Sequence, residues 1–385
     1  MNRQSFAAVL IAVAATGCPS RDAPTAPVEA AAPETGASAA LDAAADATPL
    51  APAPSRRPLP AGERLVAPFK GTRAHGFVAM SNLDRSAPPA ARRVATPLAP
   101  GDALDLDKPV LVASFTKLWT AVAALRMAER GEIYLHDTVK EALPELASRP
   151  WAESTIRELL THTSLVPELY DKDGFARKVG VDFSAPVAVL STMIPATATE
   201  KRGTFKYRNS ELALVGAILA AKSKMSAEDV LRREIFTRAR MEHAGLLVTT
   251  VPRGLDLSPM GPVRPQNFFT AGAGYASAND LLSFFEALSG SDLLTPGSKA
   301  ILFGGAADRG HGALGCWAYP FALPDGGTTL LVERPGSFGN VRLFSAYFPE
   351  QDRAIVAWTG DGVDIPRPRV QAKGIGAALV RAALE

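Results

Sequence analysis

The sequence has few cysteines, few histidines and almost no excess charge, and each shortage excludes a class of protein. Only Cys18 and Cys316 occur among the 385 residues, which excludes a disulfide framework and a thiolate-rich metal site. The five histidines never fall into a zinc-type spacing such as HExxH, so we expect neither a metal nor another cofactor. The 41 basic and 39 acidic residues give a formal charge of +2. Because no basic surplus is present to neutralise phosphates, we do not expect a nucleic-acid partner.

The first eighteen residues have the pattern of an export signal. Residues 1–4 carry one positive charge, and residues 5–16 are mostly small and aliphatic. This apolar run is too short to cross a hydrocarbon core of about 30 Å, so it predicts a signal peptide over residues 1–17. The run ends at Ala15-Thr16-Gly17-Cys18, which resembles a bacterial lipoprotein processing site and implies lipidation of Cys18. The alternative is an ordinary secreted protein.

This N-terminus predicts a location outside the cytoplasm. With a lipidated Cys18, we expect the chain to be anchored to a membrane of the cell envelope, in the periplasm or at the outer surface. Without lipidation, we expect a secreted protein. Residues 18–62 are rich in alanine and proline and contain no aromatic side chain. They cannot build a core and are predicted to be a tether, so the folded domain is predicted over residues 63–385.

Hydrophobic patterns divide this domain into two α/β parts, at about 63–135 and 270–385, with a mainly helical insertion at about 136–269. A buried strand is predicted at Pro109–Ala113 and a helix at Phe115–Arg130. Further predicted elements are the helices Ser154–Thr161, Ser184–Met193, Ser210–Ala221, Ser226–Thr237, Ala278–Ala287 and Arg369–Leu384, and the strands Thr328–Glu333, Val341–Phe348 and Ala354–Thr359. This order predicts an α/β fold of the α+β type, with an antiparallel sheet flanked by helices.

Ser114-Phe115-Thr116-Lys117 is the only S-x-x-K sequence in the chain. It lies where the predicted strand meets the predicted helix, so Ser114 is placed at a helix N-terminus and Lys117 one turn later on the same face. A lysine buried there would lose proton affinity and could take a proton from the serine hydroxyl. The alternative is that Ser114 caps the helix and Lys117 is a solvated surface cation.

Tyr207-Arg208-Asn209 is the only Y-x-N sequence. Alternate residues of an extended segment share one face, so Tyr207 and Asn209 could both point into a cleft. A phenol beside an ammonium group can act as an acid or a base, and an amide can bind a substrate carbonyl. The alternative is that Tyr207 only packs against the core and Asn209 caps the helix that follows.

Arg334-Pro335-Gly336-Ser337 follows a predicted strand. A cation and a glycine on an edge strand can line a pocket and let a backbone N–H reach an oxyanion. The alternative is a simple turn.

Taken in this order, the three motifs resemble those of the serine β-lactamase and penicillin-binding protein superfamily. The likeness is to the branch of class C β-lactamases, D,D-carboxypeptidases and related esterases, in which S-x-x-K is followed by Y-x-N and by a basic residue-x-Gly triplet. Residues 113–133 resemble the family's catalytic helix, and residues 155–164 resemble a family signature. The resemblance covers about Leu104 to the C-terminus.

The resemblance implies a serine hydrolase that forms an acyl-enzyme. Ser114 would attack a carbonyl while Lys117 and Tyr207 manage its proton. The oxyanion would lie between the backbone N–H groups of Ser114 and Ser337, and Asn209 would hold the acyl portion. The implied substrate is a small molecule, a peptide or an ester, with peptidoglycan as one candidate, and the anchor at Cys18 would make a membrane the second partner.

The third motif departs from the family pattern. The family usually shows Lys or His, often followed by Thr, in the region that recognises the substrate's carboxylate. Arg334 keeps the charge but cannot transfer a proton, and Pro335 removes a hydroxyl and an N–H. Arg334, Gly336 and Ser337 are still assigned to substrate binding, but the change argues against efficient β-lactam turnover. A non-catalytic envelope protein that binds peptidoglycan or a protein partner on the same fold is therefore the alternative.

Overall fold

The computed structural model describes residues 58–84, 86–169, 174–197, 201–248, 251–323 and 326–385. The predicted signal peptide, Cys18 and nearly all of the predicted tether lie outside the described residues. Among the described residues, no helix combines the length and apolar character that crossing a bilayer requires.

The centre of the domain is an antiparallel sheet of seven described strands, in the order β2-β1-β10-β9-β7-β6, with β8 also paired to β9. Its strands are β1 (Gly76–Asn82), β2 (Arg93–Pro97), β6 (Trp317–Ala322), β7 (Thr328–Glu333), β8 (Gly336–Phe338), β9 (Val341–Phe348) and β10 (Arg353–Thr359). A second, three-stranded sheet contains β3 (Val110–Leu111), β4 (Gly245–Leu246) and β5 (Gly274–Ala276), in the order β3-β5-β4.

The large sheet is buried on both faces, because side chains alternate between two hydrophobic clusters along each strand. In β1, Phe77 and Ala79 belong to the larger cluster, whereas Val78 and Met80 belong to the smaller one. The larger cluster contains the long helices of the domain, and the smaller one contains the C-terminal helix. The prediction of an antiparallel sheet flanked by helices is confirmed.

Helices cover the sheet, and several of them lie between β3 and β5 along the chain. They are α1 (Gly62–Val66), α2 (Pro89–Arg92), α3 (Thr116–Glu129), α4 (Val139–Ala142), α5 (Ile156–Leu160), α6 (Pro186–Met193), α7 (Asn209–Ser223), α8 (Ala227–Leu231), α9 (Thr237–Ala239), α10 (Ala278–Ser289), α11 (Pro296–Leu302) and α12 (Ile375–Leu384). Helices α3 and α7 are buried over almost their whole surface, which explains why neither shows a clear apolar stripe.

Three of the differences between the predicted and the observed elements have a clear structural cause. The predicted strand Pro109–Ala113 ends at Leu111, because the chain then turns sharply through Ala113. The predicted helix Ser226–Thr237 is divided by a π-helical segment, Arg232–Phe236. The C-terminal helix begins at Ile375 and not at Arg369, because Gly374 is extended and precedes the first turn.

Candidate active site

Ser114 lies on a short turn between β3 and α3. The turn is a single 3₁₀ segment, Ala113–Phe115, and Ala113 has a φ of 49°. A positive φ is unfavourable for a residue with a Cβ, and such strain is concentrated at functional sites. Ala113 is fully buried, whereas Ser114 is half-buried. The turn therefore leaves the Ser114 side chain partly exposed, whereas the adjacent residues Ala113 and Phe115 are buried.

Lys117, one turn further along α3, is fully buried and donates to three acceptors. Its Nζ lies 3.0 Å from Ser114 Oγ, 2.7 Å from Asn209 Oδ1 and 2.6 Å from the carbonyl oxygen of Ala271. An ammonium group has three donors, so these contacts use all of them. Burial is the main cause that lowers the pKa of Lys117, to about 8. A solvated surface cation, the alternative considered from the sequence, is thereby excluded.

Tyr207 places its hydroxyl on the same serine. Its Oη lies 2.9 Å from Ser114 Oγ, and Arg334 Nη2 donates to that Oη over 2.7 Å. Burial alone would raise the pKa of Tyr207, but the positive charges of Arg334 and Lys117 outweigh it and lower that pKa to about 8. Two groups with pKa values of about 8 therefore contact one hydroxyl, and either can act as a general base once it has lost its own proton.

Arg334 is buried within this group, with 1% of its surface exposed. Besides binding Tyr207, its Nε donates to the carbonyl oxygen of Ser114 over 2.7 Å. Two of its N–H groups thus bind the backbone of Ser114 and the phenol of Tyr207. The sequence assigned Arg334 to substrate binding, and the structure adds contacts through which it orients both residues; its contact with substrate stays a prediction.

Asn209 begins helix α7, and the carboxylate of Glu168 fixes its position. Glu168 Oε2 accepts from Asn209 N at 2.6 Å and from Asn209 Nδ2 at 3.4 Å, and Oε1 accepts from the Ser210 hydroxyl at 2.9 Å. A carboxylate at a helix N-terminus is stabilised by the unpaired N–H groups there. The amide is thereby oriented with Oδ1 towards Lys117. Asn209 is the first helical residue and not the helix cap, a position that Arg208 occupies.

Gly336 and Ser337 lie on the short strand β8, directly beside the turn that carries Ser114. A Cβ on Gly336 would lie 2.1 Å from the carbonyl oxygen of Val112, so only glycine allows this approach. Ser337, the next residue, is exposed and pairs with Arg342 of β9. Its assignment to the oxyanion site stays a prediction that this placement supports.

His162 supports Tyr207 from inside the domain. Its ring centroid is 4.7 Å from that of Tyr207, and its Nδ1 lies 2.6 Å from Glu211 Oε2. Burial raises the pKa of Glu211 and lowers the pKa of His162. Cys316 is also buried, and burial raises the pKa of its thiol to about 12. Neither His162 nor Cys316 is placed as a nucleophile or as its base.

Trp317 is a site residue that sequence reasoning missed. Its ring stacks on Tyr207 at a centroid distance of 6.0 Å, and the guanidinium carbons of Arg334 and Arg367 lie 5.0 Å and 4.0 Å from its centroid. Such cation–π contacts stabilise the relative positions of the aromatic rings and the guanidinium groups. Glu168 and the carbonyl of Ala271 were also missed, because they contact the site residues across long distances in sequence and no local pattern marks such contacts.

The site consists of side chains that carry hydroxyl, amine, phenol and amide groups. Across the described segments, no group of three histidine, cysteine, aspartate or glutamate side chains is arranged to hold a metal ion. Ser114, Lys117, Tyr207 and Asn209, which belong to the first two motifs, converge from two helices, the turn before α3 and one loop. This fold and this site define a class: proteins in which a serine hydroxyl lies between a lysine and a tyrosine.

Comparisons with known proteins identify the family within that class. The family model described as Beta-lactamase matches residues 78–379, and the chain belongs to that family. PbpX, a Bacillus subtilis protein named as a penicillin-binding protein, is 26% identical over 208 residues, or 49% of this chain and 51% of that protein. The chain thus spans about half the length of this curated relative. The family supports an enzyme of the serine hydrolase type.

Solved structures show the same fold. A D-stereospecific amidohydrolase from Streptomyces matches 84% of this chain and 98% of its own, with a TM-score of 0.65 and 16% identity. A class C β-lactamase from Rhodobacter sphaeroides matches 84% of this chain and 100% of its own, with a TM-score of 0.61 and 18% identity. At these identities the similarity shows the fold alone. The predicted resemblance to the β-lactamase and penicillin-binding protein superfamily is confirmed.

Proposed function

We propose that this chain is a serine hydrolase that forms an acyl-enzyme on Ser114. The observation that carries the proposal is the contact of one hydroxyl with two bases: Ser114 Oγ lies 3.0 Å from Lys117 Nζ and 2.9 Å from Tyr207 Oη. A serine hydroxyl is a weak nucleophile unless an adjacent base removes its proton. Here both candidate bases are present within hydrogen-bonding distance.

The proton path follows from the charges around Tyr207. In the reactive form the phenol has lost its proton to water, and Arg334 Nη2 stabilises the phenolate. The phenolate accepts the proton of Ser114 Oγ as that oxygen attacks a carbonyl carbon. The lysine and the tyrosine interact closely, so they titrate as a pair and not as independent groups. The same proton is then donated to the leaving group, and a water molecule releases the acyl group by the reverse path.

The oxyanion formed by this attack needs backbone donors. We propose the N–H groups of Ser114 and Ser337 as these donors. Because Gly336 has no side chain, β8 can lie directly against the turn that carries Ser114. Removing one such donor typically costs about 2.7–4 kcal/mol of transition-state stabilisation. The second N–H of the Asn209 amide can bind the acyl carbonyl, since Oδ1 is already occupied by Lys117.

The proposed substrate is an ester or an amide whose leaving group lacks a carboxylate. In the superfamily that this chain resembles, the third motif recognises that carboxylate, and Pro335 offers it neither a hydroxyl nor an N–H. Two donors of Arg334 are bound to Ser114 and Tyr207. We therefore expect ester or amide turnover to exceed β-lactam turnover.

We also propose that the enzyme works in the cell envelope, tethered by a lipid on Cys18. This proposal rests on the charge and apolar pattern of residues 1–18. Labelling cells with a radioactive fatty acid tests it, since Cys18→Ser should abolish incorporation. Incorporation that survives the substitution contradicts it.

A non-catalytic scaffold is the second candidate, and Pro335 is the observation that favours it. A panel of nitrocefin, a D-Ala-D-Ala peptide and a short-chain p-nitrophenyl ester separates the two. The hydrolase proposal predicts ester or amide turnover that Ser114→Ala abolishes. Tight binding to cell-wall fragments without turnover of any of these substrates would favour the scaffold.

A further inference from the structure

A concave region lies on the other side of helix α10 from Ser114. It is a pocket of about 170 Å³, which we call the arginine pocket, and its charged lining residues are Arg92, Arg93, Arg238, Arg240 and Glu286. Ser283 and Ala287 of α10 also line it.

Buried aromatic residues separate this pocket from the serine turn. Phe284 and Phe285 of α10 face inward, and each ring centroid lies 5.8 Å from that of Phe115, the residue after Ser114. The pocket residues of α10 lie on its opposite face, at the positions that flank these two phenylalanines. Substitutions in the pocket therefore leave the catalytic group untouched.

The single carboxylate of the pocket has no capacity for further cations. Glu286 Oε1 accepts from Ser81 Oγ and Arg93 Nε, both at 2.8 Å. Glu286 Oε2 accepts from Arg92 Nη2 at 2.6 Å and from Arg93 Nη2 at 2.8 Å. A carboxylate has about four acceptor positions, so all are occupied. Although burial opposes ionisation, the hydrogen bonds from Arg93 and Arg92 lower the pKa of Glu286 to about 2.

Several guanidinium donors remain without a protein partner. Within the described part of the chain, the side chains of Arg238 and Arg240 form no hydrogen bond or ion pair, and both residues are exposed. Arg92 Nε is buried and also has no partner among the described residues. Four guanidinium groups against one carboxylate leave a surplus of three positive charges around one concavity. Arginine stays protonated at any ordinary pH, so this surplus is permanent.

We propose that the arginine pocket binds a phosphate group. Guanidinium groups bind phosphate through paired, charge-assisted hydrogen bonds, and several arginines around one cavity match the several oxygens of one phosphate. The phosphate can belong to a soluble phosphate ester or to the headgroup of an anionic phospholipid. The inference does not depend on the hydrolase proposal.

Binding can be measured on the full chain carrying Cys18→Ser, so that no lipid anchor contributes. Inorganic phosphate is titrated while the melting temperature is recorded, because a ligand that binds only the folded state raises it. In a second arm, co-sedimentation is measured with phosphatidylglycerol vesicles and with phosphatidylcholine vesicles. The test variant is Arg238→Ala/Arg240→Ala. The control is Arg73→Ala/Arg253→Ala, which removes two exposed charges from elsewhere.

We expect phosphate to raise the melting temperature of the parent chain and of the control variant. Affinity should fall roughly twenty-five-fold in the test variant, at about fivefold for each of the two guanidinium groups removed. Retention on phosphatidylglycerol alone, lost in the test variant, would identify a lipid headgroup. A phosphate response without such retention would identify a soluble phosphate. Equal responses of the test and control variants, or no response of the parent chain, would overturn the proposal. A single cooperative melting transition of the test variant without phosphate, close to that of the parent chain, shows that it has folded.

Discussion

Replacing Arg334 with glutamine should move the pH dependence of turnover to higher pH. If Ser114 is activated by the Lys117–Tyr207 pair, activity rises with pH as the pair loses a proton, at about pH 8 in the unmodified enzyme. Arg334 lowers the pKa of both partners, so its removal raises both values. A unit charge about 4 Å away at an effective dielectric constant of about 20 contributes roughly 4 kcal/mol.

This energy corresponds to about three pKa units, and water entering the vacated space reduces it, so we expect a shift of about one to three units. Turnover of a p-nitrophenyl ester should therefore fall roughly tenfold to a thousandfold at neutral pH and recover at high pH. Absorbance is read where nitrophenol and nitrophenolate absorb equally. The control, Arg334→Lys, keeps the charge and should keep the rise near pH 8. A glutamine variant that lowers activity equally at every pH would refute the electrostatic role of Arg334.

Three further substitutions test the rest of the site. Gly336→Ala forces a Cβ against a backbone carbonyl and should lower the free energy of unfolding, measured by urea denaturation, by about 1–3 kcal/mol. The control Gly297→Ala places its Cβ in open space and should not lower it. Equal effects of the two substitutions would contradict the close approach at Gly336. Glu168→Ala removes the hydrogen bonds that orient the Asn209 amide and should lower kcat/KM roughly tenfold or more. The control Glu168→Gln should retain most of the activity. An alanine variant with unchanged kcat/KM would contradict the role of Glu168 in positioning Asn209. Tyr207→Phe should lower kcat about 10²–10⁴-fold with little change in melting temperature, and full activity would leave Lys117 as the sole base.

The chemistry of the site could be predicted from the sequence because each motif is local. Ser114 and Lys117 are one helical turn apart, and Tyr207 and Asn209 are two residues apart, so backbone geometry alone places each pair on one face. That the two pairs meet is a long-range property of the fold. The order of the motifs, shared with a known superfamily, made the prediction possible.

Other features could not be read from the sequence. Strand β1 was not predicted, since it is buried on both faces and shows no alternation of polar and apolar residues. The strained turn at Ala113 was read as strand, because alanine carries no sign of a positive φ. Glu168 and Trp317 act through contacts with residues distant in sequence, and no local pattern reports such contacts.

The most direct test is whether Ser114 becomes covalently modified. The purified chain is treated with a fluorophosphonate and its intact mass is measured beside that of Ser114→Ala. The account predicts one added phosphonyl group in the parent chain, located by peptide mapping at Ser114, and none in the variant. An equal adduct on the alanine variant, or no adduct on the parent chain across pH 7 to 9, would contradict the claim that this serine is activated.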